Sequence, residues 1–579
     1  MKQTNKTARR FLVALLVLTT VQLAAQPINL AWAKSMGGNS PDDGTDVAVD
    51  ASGNVYSIGM FEGTADFDPG AGTAMFTSTA TRAIYISKLD ASGNFVWAKH
   101  IEARAGNTYT HKASIAVDMN GDVIYTTVFR NTVDFDPGPG TVNITGDANF
   151  NIIISKLSAA GNFVWAKQLG GVSNQVVSGL ETDAAGNIYT IGFFGENTDF
   201  DPGAGTYTLG TASGCYAGFV SKLDASGNFV WAKKMGGANG YDHAIGLALD
   251  GSANVYITGA FDGTEDFDPG TGVANLVAPV NFQSYVMKLD NAGNFAWAIE
   301  TGGTSGNDHM RGWEIAVSAA GNVYYTGEFT GAFDFDPGAG VTMLSTGTSP
   351  QVFISELTTT GNFVWAKAFS GPGPTNFPSD ITLDAFNNIY ITGQFTDSVD
   401  FDPGVGVFGM DANFLVQTFF CKLTPTGDFT WAKRFEGGNT SGRSIALDAN
   451  GSIYLTGVLG DYWTVDFDPN PTTYTLTPAT GYSDAFVCKL NPPDLSVFDA
   501  AAKNELLIYP NPANSVLNIQ LSGEKTKLSL FNMMGELISV YDLEATGKQI
   551  DVSALPNGMY VLVAETAERK MVEKVQVVH

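Results

Sequence analysis

Short apolar runs, rich in β-branched and aromatic residues and bounded by turn residues, recur from residue 28 to residue 491. In one stretch they are Ser114–Asp118, Val123–Phe129, Ile152–Leu157 and Phe163–Lys167. Runs of this length and composition predict strands. Asp-x-x-Gly-Asn joins the first to the second, as at Asp50 to Asn54 and Asp183 to Asn187, and the third to the fourth, as at Asp90 to Asn94 and Asp224 to Asn228. An aspartate opening the turn and a glycine in the left-handed position make tight hairpins, so each set of runs predicts an antiparallel meander.

The set occurs seven times. Its fourth run carries Trp-Ala at Trp32, Trp97, Trp165, Trp231, Trp297, Trp365 and Trp431. Between the second and third runs lies Asp-Phe-Asp-Pro, beginning at Asp66, Asp134, Asp199, Asp266, Asp334, Asp400 and Asp466, and both markers recur every 65 to 68 residues. Such a unit cannot bury its apolar faces alone and must stack on its neighbours. The array opens with a lone fourth strand, Ile28 to Lys34, and closes with a lone third strand, Ala485 to Leu490. Pairing the two removes an exposed edge, which a parallel solenoid or a string of separate sandwiches would not call for. The expected fold is all-β: a seven-bladed β-propeller closed by its N-terminal strand, followed by a small C-terminal β-sandwich. Gly59, Gly192, Gly259, Gly327 and Gly393 of the second runs are expected to let neighbouring copies pack closely.

The strings Gly-Asn-Val-Tyr, Asp-Phe-Asp-Pro-Gly and Lys-Leu-x-x-x-Gly-Asn-Phe-Val-Trp-Ala-Lys resemble the bacterial β-propeller repeat family of secreted proteins over residues 28–491. That family has no single activity. After Asn491-Pro-Pro the period stops, and Leu507-Ile508-Tyr509-Pro510-Asn511-Pro512-Ala513 leads into alternating runs at Val516–Leu521, Leu528–Asn532 and Asp551–Leu555, then Pro556-Asn557-Gly558-Met559-Tyr560 and Lys574–Val578. Their order resembles the C-terminal sorting domain of the type IX secretion system. The resemblance implies export across the outer membrane, with the secretion machinery as a partner through residues 506–579.

The amino terminus carries Lys2, Lys6, Arg9 and Arg10, an apolar run from Phe11 to Leu18, and Ala24 and Ala25. This is the pattern of a secretory signal cleaved after Ala25, with no cysteine behind it to take a lipid. No later stretch reaches 18 consecutive apolar residues, so no transmembrane segment is expected. The expected divisions are a signal peptide over 1–25, repeats over 26–492, a linker over 493–505 and the sorting domain over 506–579. The protein is expected outside the cytoplasmic membrane, secreted or on the outer cell surface.

Net charge is −27, and with four cations before residue 27 and a near-neutral tail, the repeats hold essentially all of it. Such a surface repels phosphate backbones, which excludes nucleic acid as a partner. Three cysteines make no disulfide framework, and Cys421 and Cys488 occupy a slot filled by serine elsewhere, as at Ser87 and Ser155, predicting small buried residues.

Two sets of residues are candidates for chemistry. The aspartate pairs Asp66 and Asp68, Asp134 and Asp136, Asp199 and Asp201, Asp266 and Asp268, Asp334 and Asp336, Asp400 and Asp402, and Asp466 and Asp468 offer hard oxygen ligands, for which Ca²⁺ is the candidate cofactor. Against it, two carboxylates fall short of the roughly 6 to 8 oxygens calcium takes, and recurrence in every copy favours a building role. The other set lies ahead of the first runs, where the copies differ: His111, Asp242, His243, Asp308, His309, Arg311 and Trp313 are candidates for a polar or sugar ligand. Trp313 and Trp463 are the two tryptophans outside the repeat pattern. Neither a Gly-x-Ser-x-Gly elbow nor a His-Glu-x-x-His helix occurs. The leading expectation is a noncatalytic binding or scaffold protein with an unknown extracellular ligand. The alternative is a carbohydrate-active hydrolase or lyase.

Overall fold

The computed structural model describes residues 28–492 and 506–579, apart from 80–81, 103–112, 238–239, 304–308, 348, 480, 510–512, 522–525, 533–536, 544–547 and 566–569. The chain divides into two compact units, Met1–Pro492 and Pro493–His579.

In the first unit the four runs of each copy form an antiparallel sheet. Sheet one is Asp42–Val49, Val55–Phe61, Ala83–Leu89 and Phe95–Ile101, in that order. Sheets two to six begin with Ser114–Val117, Gln175–Thr182, His243–Leu249, His309–Val317 and Phe377–Leu383. Sheet seven takes Thr440–Leu447, Ile453–Leu459 and Asp484–Asn491 from the end of the array and Asn29–Gly38 from its start. The register across that junction runs from Asn29 opposite Asn491 to Met36 opposite Ala485.

The hydrogen-bonded sheets are all open, and none closes on itself or on another. The expectation of a closed seven-bladed β-propeller is corrected accordingly: the fold is all-β and multi-sheet. Nor is the unit a uniform four-stranded one, because three sheets have six strands, four have four, and three separate hairpins have two. The physical reason is the Asp-Phe-Asp-Pro connection. It folds into a short hairpin, such as Thr64–Asp66 against Met75–Thr77, instead of a plain loop. In six copies the first aspartate of that hairpin meets the end of the preceding sheet's fourth strand. Asp66 faces Gly37, Asp199 faces Gly170, Asp334 faces Gly302, Asp400 faces Ser370 and Asp466 faces Glu436, while the Gly236 amide donates to the Asp266 carbonyl. The hairpin staples one sheet to the next.

Apolar side chains fill the spaces between sheets, so that the two faces of a sheet belong to different cores. Tyr56, Ile58 and Ile86 of sheet one pack with Ile115, Val123 and Tyr125 of sheet two. Tyr189 and Ile191 of sheet three pack with Leu247 and Val255 of sheet four. The phenylalanine of the acidic motif plugs the same spaces: Phe67 is fully buried, 5.1 Å from the Phe61 ring and 4.5 Å from that of Tyr85. The repeated tryptophan fixes the approach of the neighbouring sheet. Trp32, Trp97, Trp231 and Trp297 each donate their indole N–H to the third-to-fourth turn of the next sheet, at the carbonyls of Ala91, Ala159, Asn291 and Thr359. Cys421 and Cys488 are buried thiols, as their serine-like slot predicts, and burial pushes both thiol pKa values up.

The second-strand glycines act within their own sheets. A Cβ at Gly59, Gly192, Gly259 or Gly327 would fall 1.9 Å from the first-strand carbonyl of Asp43, Val176, His243 or Arg311. The cause is a bulge in the first strand, which brings that carbonyl over the glycine.

The second unit has two sheets on one core. Leu506–Tyr509, Val516–Leu521 and Lys548–Asp551 make the first, and Leu537–Leu543, Thr526–Asn532, Gly558–Glu565 and Lys570–Val577 the second. Alternation puts Leu517, Ile519, Leu528, Leu530, Leu562 and Val575 between them.

Candidate ligand-binding cavity and its rim

Six first strands carry a β-bulge at one equivalent place. The register shifts between Gly44 and Asp46, Val177 and Gly179, Ala244 and Gly246, Gly312 and Glu314, Pro378 and Asp380, and Gly442 and Ser444. A bulge kinks a strand and re-aims the side chains that follow it. Here those side chains, with residues from the first strands of all seven sheets, wall a cavity of about 450 Å³.

The polar lining breaks the repeat. Where Asp46, Glu314 and Asp380 stand, other copies have Ser114, Gly179, Gly246 and Ser444; where Glu181 stands, most have alanine, as at Ala48 and Ala116. Arg443 is the cation of the lining. Two of the acids also tie sheets together. Asp46 accepts from the Ile115 amide at 2.9 Å and the Ser444 hydroxyl at 2.8 Å, and Asp380 accepts from the Ile445 amide at 2.8 Å. Glu181 lines the cavity and keeps an exposed surface. Desolvation by the surrounding protein mass, together with the charges of Asp46 and Glu314, pushes its carboxyl up to about 8. At neutral pH Glu181 therefore keeps its proton.

One step earlier on the same strands sit the residues whose variability marks them in the sequence. The His243 imidazole stacks on Phe193, ring centres 4.1 Å apart, and lies 6.1 Å from Phe282. The Arg311 guanidinium sits 5.2 Å over the Phe282 ring, and His309 meets the edge of that ring at 6.5 Å. Enclosure and the Arg311 charge bring both imidazoles down to about 4, so both are neutral at physiological pH. Opposite Arg311 across the strand pair is Glu328, pushed up to about 7 by burial, with the Arg311 charge and the Trp313 indole opposing. Trp313 itself is the extra residue of its bulge.

Asp242 turns away from this group. Its carboxylate accepts from the Gly237 amide at 2.6 Å, and burial pushes it up to about 8. His111 and Asp308 lie outside the described residues. The structure thus gathers His243, His309 and Arg311 around Phe193 and Phe282, two rings the sequence reading did not single out. The cavity acids were missed as well, although their departure from alanine, glycine or serine between copies was the available signal.

The aspartates of the acidic motif spend oxygens on their own loops. Asp66 Oδ1 accepts from the amides of Asp68 and Ala74, and Asp134, Asp199, Asp266, Asp334, Asp400 and Asp466 repeat the pattern. The second aspartate, as at Asp68, Asp136, Asp201, Asp268, Asp336 and Asp402, accepts from a glycine amide two residues on. Its other oxygen lies so close to the next glycine that a Cβ at Gly72 would fall 2.2 Å from it. In the seventh copy Thr472 stands in that place and donates its hydroxyl to Asp468. Among the described residues, no group of three or more His, Cys, Asp or Glu is placed to hold one metal ion.

Residues 507–578 match the secretion system C-terminal sorting domain family. The chain is 24% identical over 512 residues to the uncharacterized WD repeat-containing protein L264 of Acanthamoeba polyphaga mimivirus, a match covering 74% of this chain and 36% of that protein. It thus spans about a third of that relative's length. Among solved structures, a protein of unknown function from Bacteroides caccae superposes with a TM-score of 0.22 at 11% identity, over 56% of this chain and 90% of that one. PorZ, a surface component of the type IX secretion system of Porphyromonas gingivalis, gives 0.20 at 9% identity over 94% and 100%. At those scores the superpositions define no fold. The family match defines the tail: this is a secreted or cell-surface protein linked to the type IX secretion system through its C-terminal sorting domain. No described helix is long and apolar enough to cross a membrane.

Proposed function

We propose that the protein is a noncatalytic binding protein of the cell exterior, taking a small polar or cationic ligand into the cavity walled by its first strands. One observation carries this reading. The motifs that recur in every copy are absorbed in packing, whereas Asp46, Glu181, Glu314, Asp380 and Arg443, which break the repeat, all reach one cavity. The excess of carboxyl groups there favours a ligand bearing amines. His243, His309 and Arg311 would shape the entrance, with uncharged imidazoles and aromatic faces on one side of it. Export through the amino-terminal signal, cleaved after Ala25, and sorting through residues 506–579 deliver the folded repeats to that location. Titration calorimetry with spermidine and lysine-containing dipeptides should give binding in the wild type that Glu181→Gln and Asp380→Asn weaken; flat traces and unchanged melting temperatures across the set would dismiss it.

Glu181 also favours a second reading. A carboxyl that stays protonated at neutral pH in a cavity also lined by Asp46 and Glu314 meets one requirement of a glycoside hydrolase, a general acid beside ionised carboxylates. Release of reducing ends from a glycan panel, abolished in Glu181→Gln, distinguishes catalysis from binding.

A further inference from the structure

Six copies run from the middle of the second strand to the acidic motif in the same number of residues, as from Gly59 to Asp66 and from Gly393 to Asp400. The seventh, from Gly457 to Asp466, takes two more. The inserted pair is Tyr462 and Trp463, and it stands out in water: Tyr462 is 75% exposed and Trp463 52%. Tyr482, on the facing loop, is 44% exposed.

The rings are held in place. Tyr462 has φ +62°, a left-handed conformation that strains a bulky side chain. Gly481 lies against the tyrosine ring, where a Cβ would fall 2.5 Å from Cε1, and Tyr482 follows it directly. Gly438 lies against Trp463, where a Cβ would fall 2.3 Å from the tryptophan Cβ. Strain, insertion and exposure combine at one rim of sheet seven with no gain in core packing.

We infer that Tyr462, Trp463 and Tyr482 form a stacking platform for a neutral polysaccharide. The residues that flank them in sequence are Gly460, Asp461, Thr464, Gly481 and Ser483, none of them aliphatic, and Val465 beyond is buried. A protein partner would need aliphatic surface to fill the gaps between rings. A pyranose needs only flat apolar faces edged with hydrogen-bonding groups, which tyrosine and tryptophan supply. The net charge of −27 turns away acidic polymers and leaves the uncharged ones.

Affinity electrophoresis of the full chain in gels containing barley β-glucan, galactomannan or soluble starch tests this. At least one of the three should retard the wild type, and Trp463→Ala should reduce that retardation at least tenfold without lowering the melting temperature. Removing residues 462 and 463 together restores the length of the other six copies, so that variant should fold and migrate as if no polysaccharide were present. No retardation by any of the three overturns the inference. So does equal retardation of wild type and deletion variant, or capture of a protein in place of glycan by the same rings.

Discussion

The indole of Trp97 lies against the α-carbon of Gly161 in the next sheet. A Cβ at Gly161 would fall 3.0 Å from Cδ2 and 3.1 Å from Cε2, and the glycine is held at φ +75°. Tryptophan and turn glycine recur together because each sheet's ring rests on its neighbour's turn: Trp32 meets Gly93, Trp231 meets Gly293 and Trp297 meets Gly361 in the same way. Gly161→Ala should therefore cost about 1–3 kcal/mol, combining strain at positive φ with a displaced ring. Gly251→Ala, at a turn with nothing within 4 Å, should cost far less. Urea denaturation of both variants checks the difference.

Glu181 makes stability fall as pH rises. Its carboxyl titrates near 8 when folded and near 4.5 when unfolded, so between those values the folded chain holds a proton the unfolded chain has lost. Wild type should lose stability relative to Glu181→Gln from pH 4.5 to pH 8, with a constant difference beyond either end. Denaturation midpoints of the two proteins measured in parallel decide the matter; parallel curves would refute it.

His243 acts in the opposite sense. Its imidazole titrates near 4 when folded against 6.5 when free, so unfolding takes up a proton in that window and stability falls as pH drops from 6.5 to 4. His243→Phe, which can keep a flat ring on Phe193, should resist acid better than the wild type below pH 6. Circular dichroism during acid titration reads this directly.

Asp334 fastens its hairpin by accepting the Asp336 and Thr342 amides at 3.1 and 2.8 Å. Asp334→Ala orphans both and should cost about 1–3 kcal/mol. If the backbone amides account for the residue, thermal melts will show the same loss in excess Ca²⁺ and in EDTA. A loss seen only with Ca²⁺ would assign the loop to the ion instead.

Deleting residues 506–579 removes the sorting unit and leaves the repeats whole. The truncated protein should fold, accumulate in the periplasm and resist protease added to intact cells. Surface exposure equal to that of the full chain would remove the sorting role.

What was legible in the sequence was turn chemistry and the strand count of each copy. Hairpin turns such as Asp50 to Asn54 announce themselves because one aspartate accepts the Ser52 and Asn54 amides within five residues. The match between Asn29–Gly38 and Asp484–Asn491 was readable from a missing strand at each end. Three things were not. The pairing of Asp66 with Gly37 joins different copies, and no periodicity reports such hydrogen bonds. A bulge adds one residue at Thr45 or Ser379 without changing composition, so the facing of Asp46 and Asp380 could not be foreseen. The cluster around Phe282 draws on three sheets, which variability at His243 and Arg311 hinted at without naming the rings between them.

Asn29–Gly38 is made before every other described strand and completes the last sheet of the repeats, and Asn470, which holds the Ile28 carbonyl, follows 442 residues after Ile28. Assembly therefore has a built-in order in time: the earliest described strand stays without its partner until the last strand of the repeats has emerged. A product that stops short of Asp484 leaves that strand without a mate, and translation cut off early betrays itself by a raw edge that proteases can find.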